Sequence, residues 1–163
     1  MQIRKTRETD IPAVMAIFDA ARAFMRAHGN MSQWPVGTPS RAQVEADVAV
    51  GGGYVCEQDG RVVATFAFLP GPDATYASIE GEGWHSRTPY WVLHRVASDG
   101  TVHGVASAMF SFAKERAGVL RIDTHEDNIP MQNAIRKAGF EYCGTIYLEN
   151  GDPRVAFDWI GSK

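Results

Sequence analysis

A strand-like run from Tyr90 to Ala97 is followed by a helix opening on Gly104-Val105-Ala106-Ser107-Ala108-Met109-Phe110. A second strand-like run, Val119 to Thr124, comes next, and together these three segments constrain the chain most. Small residues at a helix start leave the first backbone N–H groups open to an anion. The second run ends in the polar stretch Arg121-Ile122-Asp123-Thr124-His125-Glu126-Asp127-Asn128, just ahead of a further helix. That layout suits a cofactor with a pyrophosphate at one end and a reactive group at the other.

The flanking sequence extends the pattern. Gln2 to Arg7 reads as a first strand, and Thr9-Asp10-Ile11-Pro12 as a helix start. Val14, Ile17, Phe18, Ala21 and Phe24-Met25 recur at helical spacing until Gly29-Asn30. Ser40 caps a second helix running to about Val50. Tyr54–Glu57 and Arg61–Leu69 flank Gln58-Asp59-Gly60 as a hairpin, and Pro70 to Pro89 reads as a loop. Pro130 to Ala138 forms a last helix, and two strands around Asn150-Gly151-Asp152-Pro153 close the chain. The order β-α-α-β-β-β-α-β-α-β-β predicts an α/β fold, a mixed sheet covered by helices.

Composition excludes several classes. The 163 residues fit one domain, and 45% hydrophobic with 21% charged residues argues against disorder. A net charge of -3 gives no general attraction for nucleic acid or anionic lipid. No apolar run approaches the roughly 20 residues that cross a bilayer, and Met1 to Arg7 has no signal-peptide core. Cys56 and Cys143 lack metal-type spacing and read as reduced thiols, so a cytoplasmic location is expected. His125-Glu126-Asp127 lacks the i, i+4 histidine pair of a zinc helix, and no metal is expected. Neither a Gly-Lys-Ser/Thr phosphate loop nor a Gly-x-Ser-x-Gly elbow occurs.

Three features carry a family resemblance: the small-residue helix start, Asn128 eleven residues before Gly139-Phe140, and the terminal hairpin. With them the chain resembles the GNAT superfamily of N-acetyltransferases, most strongly from Trp91 to Tyr147. The run Arg121 to Asn128, with Gly139-Phe140, Cys143-Gly144 and His94-Arg95, is similar to a bacterial subgroup of small members. The resemblance implies one acetyltransferase-like domain over 1–163. Its sheet would be mostly antiparallel, of about seven strands with a splayed parallel central pair and about four helices. It further implies acetyl-CoA as cofactor and direct acetyl transfer to a primary amine, small molecule or peptide, in a ternary complex. Homodimers are common among such proteins.

Site residues follow from the resemblance. The turn Thr101, Val102, His103, Gly104, Val105, Ala106 and Ser107 would hold the pyrophosphate, with Gly104 allowing close backbone approach. Backbone groups of Val96 and Ala97 would bond the pantetheine arm, and Asn128 would meet it from the other side while capping the next helix. Two departures stand out. Thr101 occupies the usual Arg or Gln position, and Ile135 the usual position of a tyrosine general acid. Candidate bases are Glu80, His94, Asp123 and His125, with Glu82 beside Glu80 in an acidic loop. His94 could pair with Asp123, or His94, Arg95 and Asp123 could form a purely structural network. Trp34, Tyr76 and Trp84 read either as acceptor-pocket walls or as core plugs. An acyl-CoA-binding module with little or no transferase activity is the alternative function.

Overall fold

Val14, Ile17, Phe18, Ala21 and Met25 are buried along α1 (Ile11–Ala27), as their spacing predicts, with Ile11 beside them, whereas Phe24 is exposed. The computed structural model describes residues 1–161. Before α1 come β1 (Gln2–Lys5) and a single 3-10 turn, Glu8–Asp10. Asp10 stands in the cap position of α1, but its side chain makes no cap bond. The Asp10 carboxylate accepts from the Arg7 N–H at 2.7 Å and from Arg4 at 2.8 and 3.0 Å, so it serves β1 rather than the helix. Ser40 does cap α2 (Arg41–Ala49), accepting from the Gln43 N–H.

The hairpin of β2 (Gly53–Gln58) and β3 (Arg61–Pro70) turns on Asp59 and Gly60, both left-handed, as a tight two-residue connection requires. After the segment 71–90 come β4 (Trp91–Ser98), α3 (Val105–Arg116) and β5 (Val119–Thr124). They are followed by α4 (Ile129–Lys137), β6 (Glu141–Tyr147) and β7 (Pro153–Ile160). The strands bond in the order β1-β2-β3-β4-β5-β7-β6. β4 and β5 run parallel, in register at Trp91↔Leu120 and Val92↔Arg121, whereas β1–β2, β2–β3, β5–β7 and β7–β6 are antiparallel. The expected mixed, mostly antiparallel seven-stranded sheet with four helices is therefore present. Among the described residues no helix is long and apolar enough to cross a membrane.

Two compact units divide the chain. The first comprises Met1–Phe68 and His94–Met109, the second Leu69–Leu93 and the chain from Phe110 onward. In the first, α1 packs with Val44, Val55 and Ala97, and Trp34 stands edge-on to Phe18 at 5.4 Å. Trp34 is a core plug.

In the second unit Tyr76, Val92, Ile146 and Ala156 form a core, with Trp84 and Tyr90 packed against it. The segment 71–90 is more ordered than its composition suggests. Asp73 caps a short 3-10 turn at Ala74–Tyr76, and Glu80 and Thr145 exchange two backbone bonds of 2.9 and 2.8 Å. The Gly83 N–H adds a bond to the Cys143 carbonyl at 2.8 Å. The segment thereby covers the edge of β6, which would otherwise present unpaired backbone groups. Strand β6 bulges between Tyr142 and Gly144, and Gly144 has φ +144°. A Cβ there would lie 2.0 Å from the Glu80 carbonyl oxygen. Gly144→Ala should therefore lower stability by about 2 kcal/mol, by overpacking against fixed backbone. Urea unfolding checks this, and an unchanged midpoint would show that the bridge yields freely.

Candidate active site

In the first unit, the critical backbone is the end of β4. Arg95 has φ +52°, the left-handed region that a bulky side chain rarely adopts, in the middle of a strand. Two bonds to Asp47 of α2, at 2.8 and 2.7 Å, fasten its guanidinium. This ion pair is the outcome for Arg95 of the network expected with His94 and Asp123. The left-handed residue interrupts the extended backbone of β4 just ahead of Val96 and Ala97. His94, the preceding residue, is half-buried.

The turn into α3 is built around Asp99. Its carboxylate accepts from the Thr101 N–H at 3.0 Å and the Thr101 hydroxyl at 2.6 Å. Arg61, at the start of β3, donates to Asp99 at 2.9 Å and to the Thr101 hydroxyl at 2.8 Å. Burial works against the Asp99 charge, but Thr101 and Arg61 outweigh it and hold the carboxyl below its usual range. Sequence reasoning missed Arg61, which lies 40 residues from Thr101 in the chain. Its guanidinium places a cation beside the position where the family's Arg or Gln is absent.

Gly104 follows with φ +77°, exposed, and a Cβ at this position would meet nothing within 4 Å. Ala108 is the helix amide that bonds back to the Gly104 carbonyl, at 3.0 Å. The amides of Val105, Ala106 and Ser107 belong to the first turn, whose N–H groups have no intrahelical acceptor. Thr101, His103, Gly104 and Ser107 are exposed, Val102 and Ala106 half-buried, and Val105 buried. Open space, free amides and a neighbouring guanidinium are what a pyrophosphate needs.

In the second unit, Asp123 stands half-buried on β5 between the buried Ile122 and Thr124. Its Oδ1 accepts from the Tyr76 hydroxyl at 2.6 Å. Tyr76 is 2% exposed; burial first, and then the charge of Asp123, raise its phenol well above the ordinary range. It therefore stays a donor. Arg154 of β7 is also buried, and burial lowers its affinity for a proton while the charge of Asp123 opposes that loss.

His125 is differently engaged. Its Nδ1 accepts from the Asp127 N–H at 3.0 Å, which places the neutral ring's proton on Nε2. Gln132 of α4 donates to the carbonyls of His125 and Glu126 at 3.3 and 2.7 Å, fixing the turn. Asn128 caps α4 as expected, its Oδ1 accepting from the Met131 N–H at 3.2 Å. Ile135, where a phenol was looked for, is fully buried. Glu80 is exposed and accepts from the Tyr147 hydroxyl at 3.1 Å, a bond that raises the Tyr147 pKa. The aromatic rings of Trp84 and Tyr90 lie against the Arg121 guanidinium, 4.2 and 3.8 Å from its centre, so Trp84 too is a packing residue.

A GNAT-family acetyltransferase from Streptococcus agalactiae has this fold, with a TM-score of 0.90 and 30% identity. The match covers 99% of this chain and 96% of that one. A GNAT-family acetyltransferase from Listeria monocytogenes matches at TM-score 0.72 and 16% identity, covering 98% and 94%. A GNAT-like decarboxylase in complex with isobutyryl-CoA matches at 0.69 and 15%, covering 98% and 99%. At those two identities the likeness is one of fold. No family model matches the sequence, and no curated protein does. Fold and the 30% identical relative define an acyltransferase. The chain belongs to the GNAT family of acetyltransferases.

Tyr76→Phe keeps the ring and removes the hydroxyl donated to Asp123. It should cost about 2 kcal/mol in urea unfolding, the scale of a buried hydrogen bond to a charged group. A loss below about 0.5 kcal/mol would mean that water replaces the phenol at Asp123.

Proposed function

We propose that the chain is an acetyl-CoA-dependent N-acetyltransferase, acetylating a primary amine by direct attack in a ternary complex. The observation that carries the cofactor assignment is the turn at Gly104: a left-handed, exposed residue with open space above it, leading into the free amides of α3. In this reading the amides from Val102 to Ser107 hold the pyrophosphate above the turn that Thr101 and Asp99 shape, helped by Arg61 and His103. Backbone groups of Val96 and Ala97 bond the pantetheine arm from β4, and Asn128 contributes its amide while its oxygen caps α4. Bound acetyl-CoA supplies an activated thioester carbonyl. One β4 N–H would polarise that carbonyl, the role of a preorganised oxyanion donor.

Among the candidate bases Asp123 is favoured. The Tyr76 hydroxyl orients its carboxylate, which would receive the proton of the incoming ammonium. Tyr76 is a positioning residue. His125 is less suited, because its lone pair is spent on the Asp127 N–H. His94 and Glu80 remain as alternatives, Glu80 with Glu82 suiting attraction of a cationic acceptor. That acceptor is a small-molecule or peptide amine, and neither nucleic acid nor membrane is a partner. Cys56 and Cys143 are both free and buried, which fits a reducing cytoplasm.

One observation favours a second reading, that of an acyl-CoA-binding module with little transferase activity. Ile135 is sealed in the core where a phenol could have protonated a leaving group. Thiol release from acetyl-CoA over a broad amine panel separates the two: a transferase shows amine-dependent turnover, a module only saturable binding.

Gly104→Glu should weaken CoA binding at least tenfold more than Gly104→Asn, because asparagine tolerates the left-handed backbone without adding a negative charge. Equal affinities by calorimetry would move the pyrophosphate elsewhere. Within the panel Glu80→Gln, His94→Gln, Asp123→Asn and His125→Gln, Asp123→Asn should lower kcat by about 100-fold with CoA affinity unchanged. Normal kcat and pH–rate behaviour in that variant would transfer the role to another residue or to water.

A further inference from the structure

Three residues far apart in sequence meet in the second unit, outside every role assigned above. His85 comes from the segment 71–90, Cys143 is the extra residue of the β6 bulge, and Asp158 lies in the middle of β7. Cys143 Sγ is 3.5 Å from His85 Nδ1, and Nδ1 is 2.8 Å from Asp158 Oδ1; all three ligand atoms lie within 4.8 Å of one another. We propose that His85, Cys143 and Asp158 form a binding site for one thiophilic divalent transition-metal ion, zinc above all, which pins the segment 71–90 to β6 and β7.

The distances fit the chemistry. Ordinary zinc bond lengths in a tetrahedron separate sulfur from nitrogen by about 3.5 Å and nitrogen from oxygen by about 3.3 Å. The first separation is already present, and the second needs the ring and carboxylate to part by about 0.5 Å. One thiolate, one imidazole and one carboxylate form a donor set that zinc accepts and that magnesium or calcium does not. Glu141 Oε2, 3.9 Å from Nδ1, supplies the fourth ligand after a small rotation of an exposed side chain.

The surroundings are already arranged for such an ion. His85 Nε2 lies 3.0 Å from Glu82 Oε2, so with Nδ1 on the metal the opposite N–H donates to a carboxylate, the usual outer partner of a ligating histidine. The His85 backbone N–H donates to Asp158 Oδ2 at 2.7 Å, which turns Oδ1 toward the ring. The Gly83 N–H on the Cys143 carbonyl fixes the bulge that aims Sγ inward. Coordination to a dication favours the thiolate over the thiol, so binding the metal ionises Cys143.

The test is titration of the chelator-stripped full chain with cobalt(II) chloride at neutral pH. One equivalent should bind, giving a thiolate-to-cobalt charge-transfer band in the near ultraviolet and tetrahedral bands in the visible, both bleached by zinc chloride. Cys143→Ser should abolish the charge-transfer band, and Cys56→Ser, at the only other thiol, should leave it intact. His85→Gln, which keeps the backbone N–H bond to Asp158 and an amide beside its carboxylate, should weaken binding more than tenfold. Glu82→Gln should weaken it about tenfold with the band retained. Absence of the band in folded wild-type chain at saturating cobalt overturns the proposal, as does its persistence in Cys143→Ser or undiminished affinity in His85→Gln.

Discussion

A buried carboxylate organises the second unit. Asp158 is 2% exposed, and a charge so placed is tolerated only when paired and hydrogen-bonded. It sits opposite Arg121 in the β5–β7 register, and it accepts both the backbone N–H and the ring of His85. Satisfying it requires the segment 71–90 to fold back over the β6–β7 pair. Once that happens, Glu80 can bridge Thr145, Trp84 and Tyr90 can enclose the Arg121 guanidinium, and Tyr76 can reach Asp123. The residue favoured as base is thus oriented by a phenol from the same folded-back segment that Asp158, on the neighbouring strand, anchors. Replacing any one of these polar groups would strand another in the interior, which costs more than the bond itself is worth.

The first unit is organised by backbone instead. Arg95 is held in the left-handed region, a conformation that costs of order 1–3 kcal/mol and persists only where the surroundings over-determine it. The two bonds to Asp47 are that restraint, and they tie β4 to α2. A few residues later the chain turns at Gly104, where the same backbone region carries no side-chain penalty. Between them, Asp99 and Thr101 form a turn that Arg61 closes from β3. Three separate devices therefore fix the short stretch between His94 and Val105, more restraint than a simple strand-to-helix connection needs. Strain retained beside open, amide-rich backbone is consistent with a stretch shaped for a ligand.

Local chemistry made much of this legible. Helical periodicity located α1, Ser40 and Asn128 announced two helices through their caps, and Asp59-Gly60 marked the hairpin. The β5 limits match the strand-like run Val119 to Thr124. What stayed hidden was long-range. Arg61 reaches Thr101 across 40 residues, and Tyr76 reaches Asp123 across 47; neither pairing leaves any periodic trace. The Arg95 kink was equally invisible, because arginine gives no hint of positive φ. At Thr9-Asp10 the helix start holds, with Asp10 in the cap position, but Arg4 and the Arg7 N–H take the carboxylate that would have capped α1.

The missing phenol at 135 looks different in this light. Ile135 is fully enclosed, on the inward face of α4, and Phe110 and Phe140 pack together in the same unit at 5.3 Å. A tyrosine there would have to find a hydroxyl partner inside an apolar layer, so the side chain present is the one the packing requires. The unit nevertheless holds a buried phenol, at Tyr76, and gives it a carboxylate. Because burial and that negative charge both keep the phenol protonated, Tyr76 cannot readily release a proton to a departing thiolate of much lower pKa. Burial alone keeps the phenol protonated, so Tyr76 orients Asp123 and does not replace the absent acid; the thiolate then leaves unassisted or takes its proton from water.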